Sequence, residues 1–348
     1  MSIVAVALNA EVDLMAQLAT ALWLAATAAA RVSVLEFDVP TANARPHGAA
    51  VAPDGALWVT EQVANKLGRL DPRTGQFQEF PLPTADSAPL GVVADRAGNI
   101  WFTSSSRGYI GELDPKTGGV REHLVDHAGG ADPHTAVFDR RGLLWFTAQR
   151  SNLVGRLNPR TGRVDVRDVP TRRAMPYGIA VTRSGTPWFC ESGTNKLGSI
   201  DPKTLTISEH ALPARARPRR LAIASDGAIW YSDFARGRLG RFDPRTESVR
   251  EWRSPGGRQS NPYAIAIDAE GVVWYIESGV EPNTLVRFEP ETQRFSVTPI
   301  FSGGGVVRNM VVTPAGQLYL AESGVNKVAV ATPPRGKLPT PQRGDLRR

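Results

Sequence analysis

Asp132-Pro133-His134 sets an imidazole two residues from a carboxylate. Imidazole titrates near neutral pH and a nearby acid can orient it, so His134 reads as a general base. The same pair could begin a divalent-metal site, although one histidine and one carboxylate are too few ligands alone. Tyr177, in Met175-Pro176-Tyr177-Gly178, and His47, in Arg45-Pro46-His47-Gly48, stand in the same local context. His123, His127 and His210 are expected at the surface, on outer strands or loops. The single cysteine, Cys190, follows Phe189 within an apolar stretch and reads as a buried small hydrophobe. No P-loop, GxSxG elbow, HExxH or dinucleotide fingerprint is present.

These residues sit in a repeating frame. An aromatic anchor recurs at Trp58, Trp101, Trp145, Trp188, Trp230, Trp274 and Tyr319, at intervals of 42 to 45 residues. A glycine lies three residues before every anchor, from Gly55 to Gly316. Each unit reads as strand, Asp-Gly-type turn, strand, strand, a second turn such as Asp71-Pro72, and a last strand. Four short antiparallel strands per repeat of this length describe a blade, and seven repeats describe an all-β, seven-bladed β-propeller over residues 32–331. The last repeat has three strands. The segment Val32 to Pro40 supplies the fourth, which closes the ring between the two ends of the chain and removes open sheet edges. The anchors are expected to pack between blades.

In such a ring, the start of each innermost strand and the end of the next strand share one face. Eleven residues before the anchors stand His47, Leu90, His134, Tyr177, Arg219, Tyr263 and Arg308. Three residues after them stand Glu61, Ser104, Ala148, Glu191, Asp233, Glu277 and Glu322. Both sets are expected at the mouth of the central channel, with Arg219–Asp233 and Arg308–Glu322 as same-blade ion pairs. Ser104 and Ala148 interrupt the second, acidic set, which places a pocket over blades two to four around His134. His47, Tyr177, Arg219 and Tyr263 are the candidate substrate-binding residues.

Composition supports a soluble globular chain, with 41% hydrophobic and 22% charged residues. One cysteine excludes an intramolecular disulfide and a cysteine-rich zinc site. The net charge of +7 comes without a basic stripe interleaved with aromatics, so a nucleic-acid partner is not expected. Residues 16–30, AQLATALWLAATAAA, resemble a signal-peptide core with an A-x-A-like end, although no Lys or Arg precedes it. Residues 1–31 therefore read as an export signal to the periplasm or exterior, and as an extension of a cytoplasmic protein otherwise. No other stretch is long and apolar enough to span a membrane. Residues 332–348 are basic and Pro-rich and read as a solvated tail. A monomer is expected.

The segments NARPHGAAVAPDGALWVTEQVANKLGRLDP, APLGVVADRAGNIWFTSSSRGYIGELDP and MPYGIAVTRSGTPWFCESGTNKLGSIDP resemble the streptogramin B lyase (virginiamycin B lyase) family. The resemblance spans about residues 32–331 and lies in the blade scaffold. It implies a seven-bladed propeller that opens cyclic depsipeptides by elimination, with a histidine removing the proton α to a carbonyl and Mg²⁺ polarising the substrate. It further implies Asp132 and position 149 as metal ligands, His134 as base and Tyr177 as the tyrosine one blade on. Two positions depart from the pattern: Gln149 stands where a second metal-binding glutamate is implied, and Leu90 where a second histidine is implied. A neutral amide is a poorer Mg²⁺ ligand than a carboxylate. Three readings follow: a Mg²⁺-assisted C–O lyase, a non-catalytic exported propeller binding a small molecule, peptide, glycan or protein at the channel mouth, and a metal-dependent lactone or ester hydrolase. The blade count argues against the last.

Overall fold

Each repeat alternates short runs rich in β-branched and aromatic residues with two tight turns, and each half-buried run can be satisfied only as a strand in a sheet. In the computed structural model, which describes residues 32–334, these runs form seven four-stranded antiparallel sheets. Blade one contains Pro46–Val51, Leu57–Glu61, Lys66–Leu70 and Phe77–Pro81, in that order from the inside outward. Five more blades repeat the order. In the seventh, Ser33–Asp38 lies outside Lys327–Thr332, running in register from Ser33 opposite Thr332 to Asp38 opposite Lys327. The molecule is thus an all-β, seven-bladed propeller closed by its N-terminal strand. No helix among the described residues is long and apolar enough to cross a membrane. The expected export signal in residues 1–31, and the tail from residue 335 onward, lie outside the described residues.

The turns form for local reasons. Asp54 accepts the Ala56 N–H at 3.0 Å, while Gly55 takes a positive φ of 83° that a side chain would strain. Asp71 accepts the Arg73 N–H at 2.9 Å, closing the second turn. The anchors hold blades together: Trp58 packs with Val92 and Phe102 of the next blade, and Tyr319 packs with Ala49, Leu57 and Val59 across the closure. Where an aspartate precedes the anchor by six residues, it also accepts the indole N–H, as in Trp145 to Asp139 at 3.0 Å. Cys190 lies fully buried among Trp188, Leu197 and Tyr231, and burial pushes its thiol pKa up. It is a core residue.

Two of the three histidines expected at the surface are not there. His123 is 9% exposed and stacks on Trp101 with ring centroids 5.5 Å apart. His210 packs against Trp188 and Phe242 while bonding Ser199 and Glu247. Outer strands alternate like inner ones, so one side of each faces the neighbouring blade and can bury an imidazole. His127 lies beside Asp168, 3.6 Å away.

Candidate functional site

Every innermost strand carries one residue more than its neighbour across the first three or four positions. Pro133 pairs with Ala148 but Ala136 with Phe146, and the same slip recurs in all seven blades. The extra residue is a β-bulge, a device that bends a strand and re-aims a side chain. It falls at the residue eleven before the anchor and the one after it. The backbone there is crowded: a Cβ on Gly91 would sit 2.6 Å from the His134 carbonyl oxygen, so the neighbouring inner strand can pass only because position 91 is glycine. In four blades a hydroxyl two residues after the anchor ties the blade to the next. Thr103 donates to the His134 carbonyl at 2.8 Å and accepts the Gly91 N–H at 2.8 Å. Thr60, Thr147 and Ser232 do the same for the carbonyls of Leu90, Tyr177 and Tyr263. The ring residues Leu90, His134, Tyr177 and Tyr263 are therefore each fixed by a side chain of the blade before.

All seven ring residues, His47, Leu90, His134, Tyr177, Arg219, Tyr263 and Arg308, line one funnel of about 550 Å³. Asp132 and Gln149 stand on its wall. The residues expected to bind substrate are thus brought together with His134 and with both positions that the family resemblance assigns to metal. The funnel is not confined to blades two to four: His47 of blade one meets His134 of blade three edge-on, with ring centroids 5.5 Å apart.

The second expected ring is elsewhere. Glu61, Ser104, Ala148, Glu191, Asp233, Glu277 and Glu322 are almost wholly buried within the blades, and none lines the funnel. Side chains alternate along a strand, so the next residue faces the channel: Gln62, Ser105, Gln149, Phe234 and Ser278 line it instead. The expected ion pairs fail for the same reason. Asp233 pairs with Arg236 at 2.5 Å, and neither Arg219 nor Arg308 has a carboxylate partner among the described residues. Arg219 instead lies over three aromatic rings, 5.1 Å from Tyr177, 4.6 Å from Phe234 and 5.4 Å from Tyr263. Arg220, 7% exposed, donates from Nε to the Arg308 carbonyl at 2.7 Å.

His134 is 4% exposed, its ring centroid is 4.1 Å from that of Tyr177, and its Nδ1 shares a 3.0 Å hydrogen bond with the Thr135 hydroxyl. Nε2 has no partner among the described residues. Burial, reinforced by Arg220, Arg219, Arg308 and Arg150, holds the pKa of His134 well below the ordinary imidazole value. Burial, then His134, Arg220 and Arg308, does the same to His47. Both rings are neutral at physiological pH. Tyr177 and Tyr263 share a short hydroxyl–hydroxyl bond, and burial, then Tyr263, pushes the Tyr177 phenol up, so it too is neutral.

The residues present do not fit Mg²⁺. Both oxygens of Asp132 are occupied: Oδ2 accepts from the Arg150 N–H at 2.8 Å and from Arg150 Nε at 3.3 Å, and Oδ1 accepts from the Ser151 N–H at 2.8 Å and hydroxyl at 2.6 Å. Gln149 brings no charge, and no group of three or more His, Cys, Asp or Glu among the described residues is arranged to hold a metal. Four arginines, Arg45, Arg150, Arg219 and Arg308, share the wall. A hard dication seeks anionic oxygen and would meet cations here. Asp132 fixes the loop that carries Arg150 and Ser151, a role its position two residues before His134 did not disclose.

Sequence reasoning missed Arg45, Gln62, Arg150 and Phe234. Arg45 could have been found as the counterpart of Asp132, thirteen residues before its anchor, and Gln62 and Phe234 as counterparts of Gln149, four after theirs.

The family model described as the virginiamycin B lyase family matches residues 9–288. Among solved structures, virginiamycin B lyase from Staphylococcus aureus superposes with a TM-score of 0.79 at 22% identity, covering 87% of this chain and 99% of the other. A streptogramin B lyase structure gives 0.79 at 24% identity, covering 87% and 98%. A catalytically inactive histidine-to-alanine variant of the Staphylococcus aureus lyase with quinupristin gives 0.79 at 21% identity, covering 87% and 99%. None of the curated proteins compared matches the chain. At these identities the structural likeness speaks for the fold.

Proposed function

The chain belongs to the virginiamycin B lyase family, and from that premise we propose that its funnel removes the proton α to a carbonyl and expels an oxygen leaving group from the β carbon. The single observation that carries this is His134: a neutral imidazole at the funnel wall, pinned at its own carbonyl by Thr103 and at Nδ1 by Thr135, with Nε2 unpartnered. With the Nδ1 proton donated to the Thr135 hydroxyl, the Nε2 lone pair is the base.

In the elimination, His134 Nε2 takes the α proton, the C–H electron pair becomes the new C=C bond, and the β C–O bond breaks with its pair on oxygen. That oxygen takes up the proton, so no co-reactant is consumed. Because the donor set does not suit Mg²⁺, the enolate-like charge falls to the guanidinium groups, which act as preorganised positive charge.

A second reading is favoured by Gln149, Leu90 and the fully engaged Asp132: a funnel that binds a ligand without turning it over. Mass spectrometry separates the two. Wild type and His134→Ala are incubated with quinupristin and with linear O-acyl-threonine peptides. Elimination opens the ring at unchanged mass and leaves a dehydro-residue in the linear peptides. His134→Ala is expected to abolish both. Product that has gained water, or turnover untouched by His134→Ala, would overturn the proposal, and binding without turnover would leave the second reading.

A further inference from the structure

The funnel carries positive charge without its counter-charge. Of its arginines, only Arg150 has a carboxylate partner, Asp132. Arg45, Arg219 and Arg308 have none among the described residues, although Glu61, Asp233 and Glu277 each lie one residue before a residue of the wall. Three funnel-lining residues also have a buried polar atom with no hydrogen-bond partner: Arg308 Nε, His47 Nδ1 and Ser278 Oγ. A buried donor left unmade is costly, and native interiors leave few of them. Arg219 lies against the rings of Tyr177, Phe234 and Tyr263, and its guanidinium N–H groups have no hydrogen-bond partner among the described residues.

We propose that Arg219 and Arg308 hold a carboxylate of the substrate beside His134, so that the compound taken by this funnel is a β-acyloxy or β-alkoxy carboxylic acid. The inference rests on the elimination reading and names its substrate class. The chemistry agrees with the placement. Removing a proton α to a carboxylate builds a second negative charge on an already anionic group, and paired guanidinium groups neutralise both charges as they form. His134 Nε2 takes that α proton, the double bond forms between Cα and Cβ, and the β oxygen leaves as an acid or alcohol once reprotonated. The product is an α,β-unsaturated carboxylate. A bound carboxylate also offsets the arginine charge that opposes protonation of His134, so the base is strengthened by the ligand it acts on.

Two small acids share this chemistry, N-acetyl-O-acetylserine and digalacturonate, and each has a neutral methyl ester. Binding is measured by isothermal titration calorimetry on the full-length His134→Ala protein, where no turnover intervenes. At least one acid is expected to bind, its ester about tenfold or more weaker, and Arg219→Gln or Arg308→Gln to lose about tenfold or more. Whichever acid binds identifies the source of the carboxylate. Arg96→Gln, beyond the far end of an inner strand, is the control and should change nothing. Rising salt should weaken the wild-type funnel as well, a readout that needs no variant to fold. Equal binding of acid and ester, no binding of either acid at millimolar concentration, or arginine variants that bind like the parent would each overturn the carboxylate site. Acid binding in His134→Ala without turnover by wild type would overturn the elimination reading alone, and turnover of quinupristin with indifference to acid or ester would overturn the carboxylate site alone.

Discussion

Two layers of this propeller lie side by side and have opposite chemistry: the starts of the innermost strands line the funnel, and the ends of the second strands lie behind it. The funnel wall presents arginines without carboxylate partners beside neutral imidazoles and phenols. The layer behind it holds buried carboxylates, of which Glu61 and Glu322 have no hydrogen-bond partner. The difference teaches that the blades turn the carboxylates ending their second strands away from the funnel, while Asp132, the carboxylate on the wall, is taken up by Arg150 and Ser151. Had those second strands been out by a single residue, Glu61, Asp233 and Glu277 would face the wall in place of Gln62, Phe234 and Ser278. The β-bulge recurring in every inner strand aims the ring residue, and the alternation of side chains along the second strand turns its carboxylate to the other side.

The sharpest way to break the comparison is to remove the wall's base. His134→Ala should lower turnover of any eliminated substrate by about 10²- to 10⁴-fold, the ordinary worth of a general base, while the melting temperature stays close to that of wild type. Loss of folding together with activity would assign His134 to the support layer instead.

The layer behind the wall should announce itself in stability rather than activity. Burial, then Glu79, raises Glu61 to a pKa of about 8; burial raises Glu191 to about 7; burial, then Glu36, raises Glu322 to about 9. Each folded value exceeds the ordinary 4.5, so the folded protein keeps protons that the unfolded chain has released. Stability is therefore full below about pH 4.5 on account of these groups, falls as pH rises from there by up to about 1.4 kcal/mol per pH unit for each proton held, and levels off once the folded values of about 7 to 9 are passed. Denaturant melts across this range should show the decline, and Glu61→Gln with Glu322→Gln should flatten it. A profile that rises with pH in both proteins would contradict the assignment.

The connection between layers is tested by Thr103→Val, which keeps shape and removes the hydroxyl bridging Gly91 and His134. A loss of about 1–3 kcal/mol is expected by chemical denaturation, with a fall in turnover at unchanged ligand affinity. The smallest effect concerns metal. Saturating EDTA should leave turnover and carboxylate binding unaltered, and restoration of activity by Mg²⁺ alone would restore Asp132 and Gln149 as ligands.

The scaffold was legible because it is periodic. Seven aromatic anchors with glycines in phase left one architecture, and the three-stranded last repeat located its own missing strand at Val32 to Pro40. The ring eleven residues before the anchors was legible too, since those positions begin the strands nearest the axis. What misled was parity. Counting three residues past the anchor reached Glu61 and Glu322, whereas the funnel takes the fourth, and nothing in the spacing shows which side of a strand faces the axis. Asp132 misled in another way. Its distance from His134 is right for a partner, but its hydrogen bonds run to Arg150 and Ser151, contacts made only once the blade is folded. The hydroxyl bridges were present as Thr60, Thr103, Thr147 and Ser232 in matching repeat positions, yet their acceptors belong to the next blade and appear only when the ring closes.

The coupling between the cationic wall and the imidazole is the central claim, and histidine NMR reads it directly in a chain with five histidines. The His134 ring, assigned by its loss in His134→Ala, is titrated free and with the acid that binds. The account predicts a ring that stays neutral well below the ordinary imidazole value in the free protein and titrates at distinctly higher pH once the carboxylate is bound. A free ring that titrates near 6.5 and does not respond to the acid would contradict it.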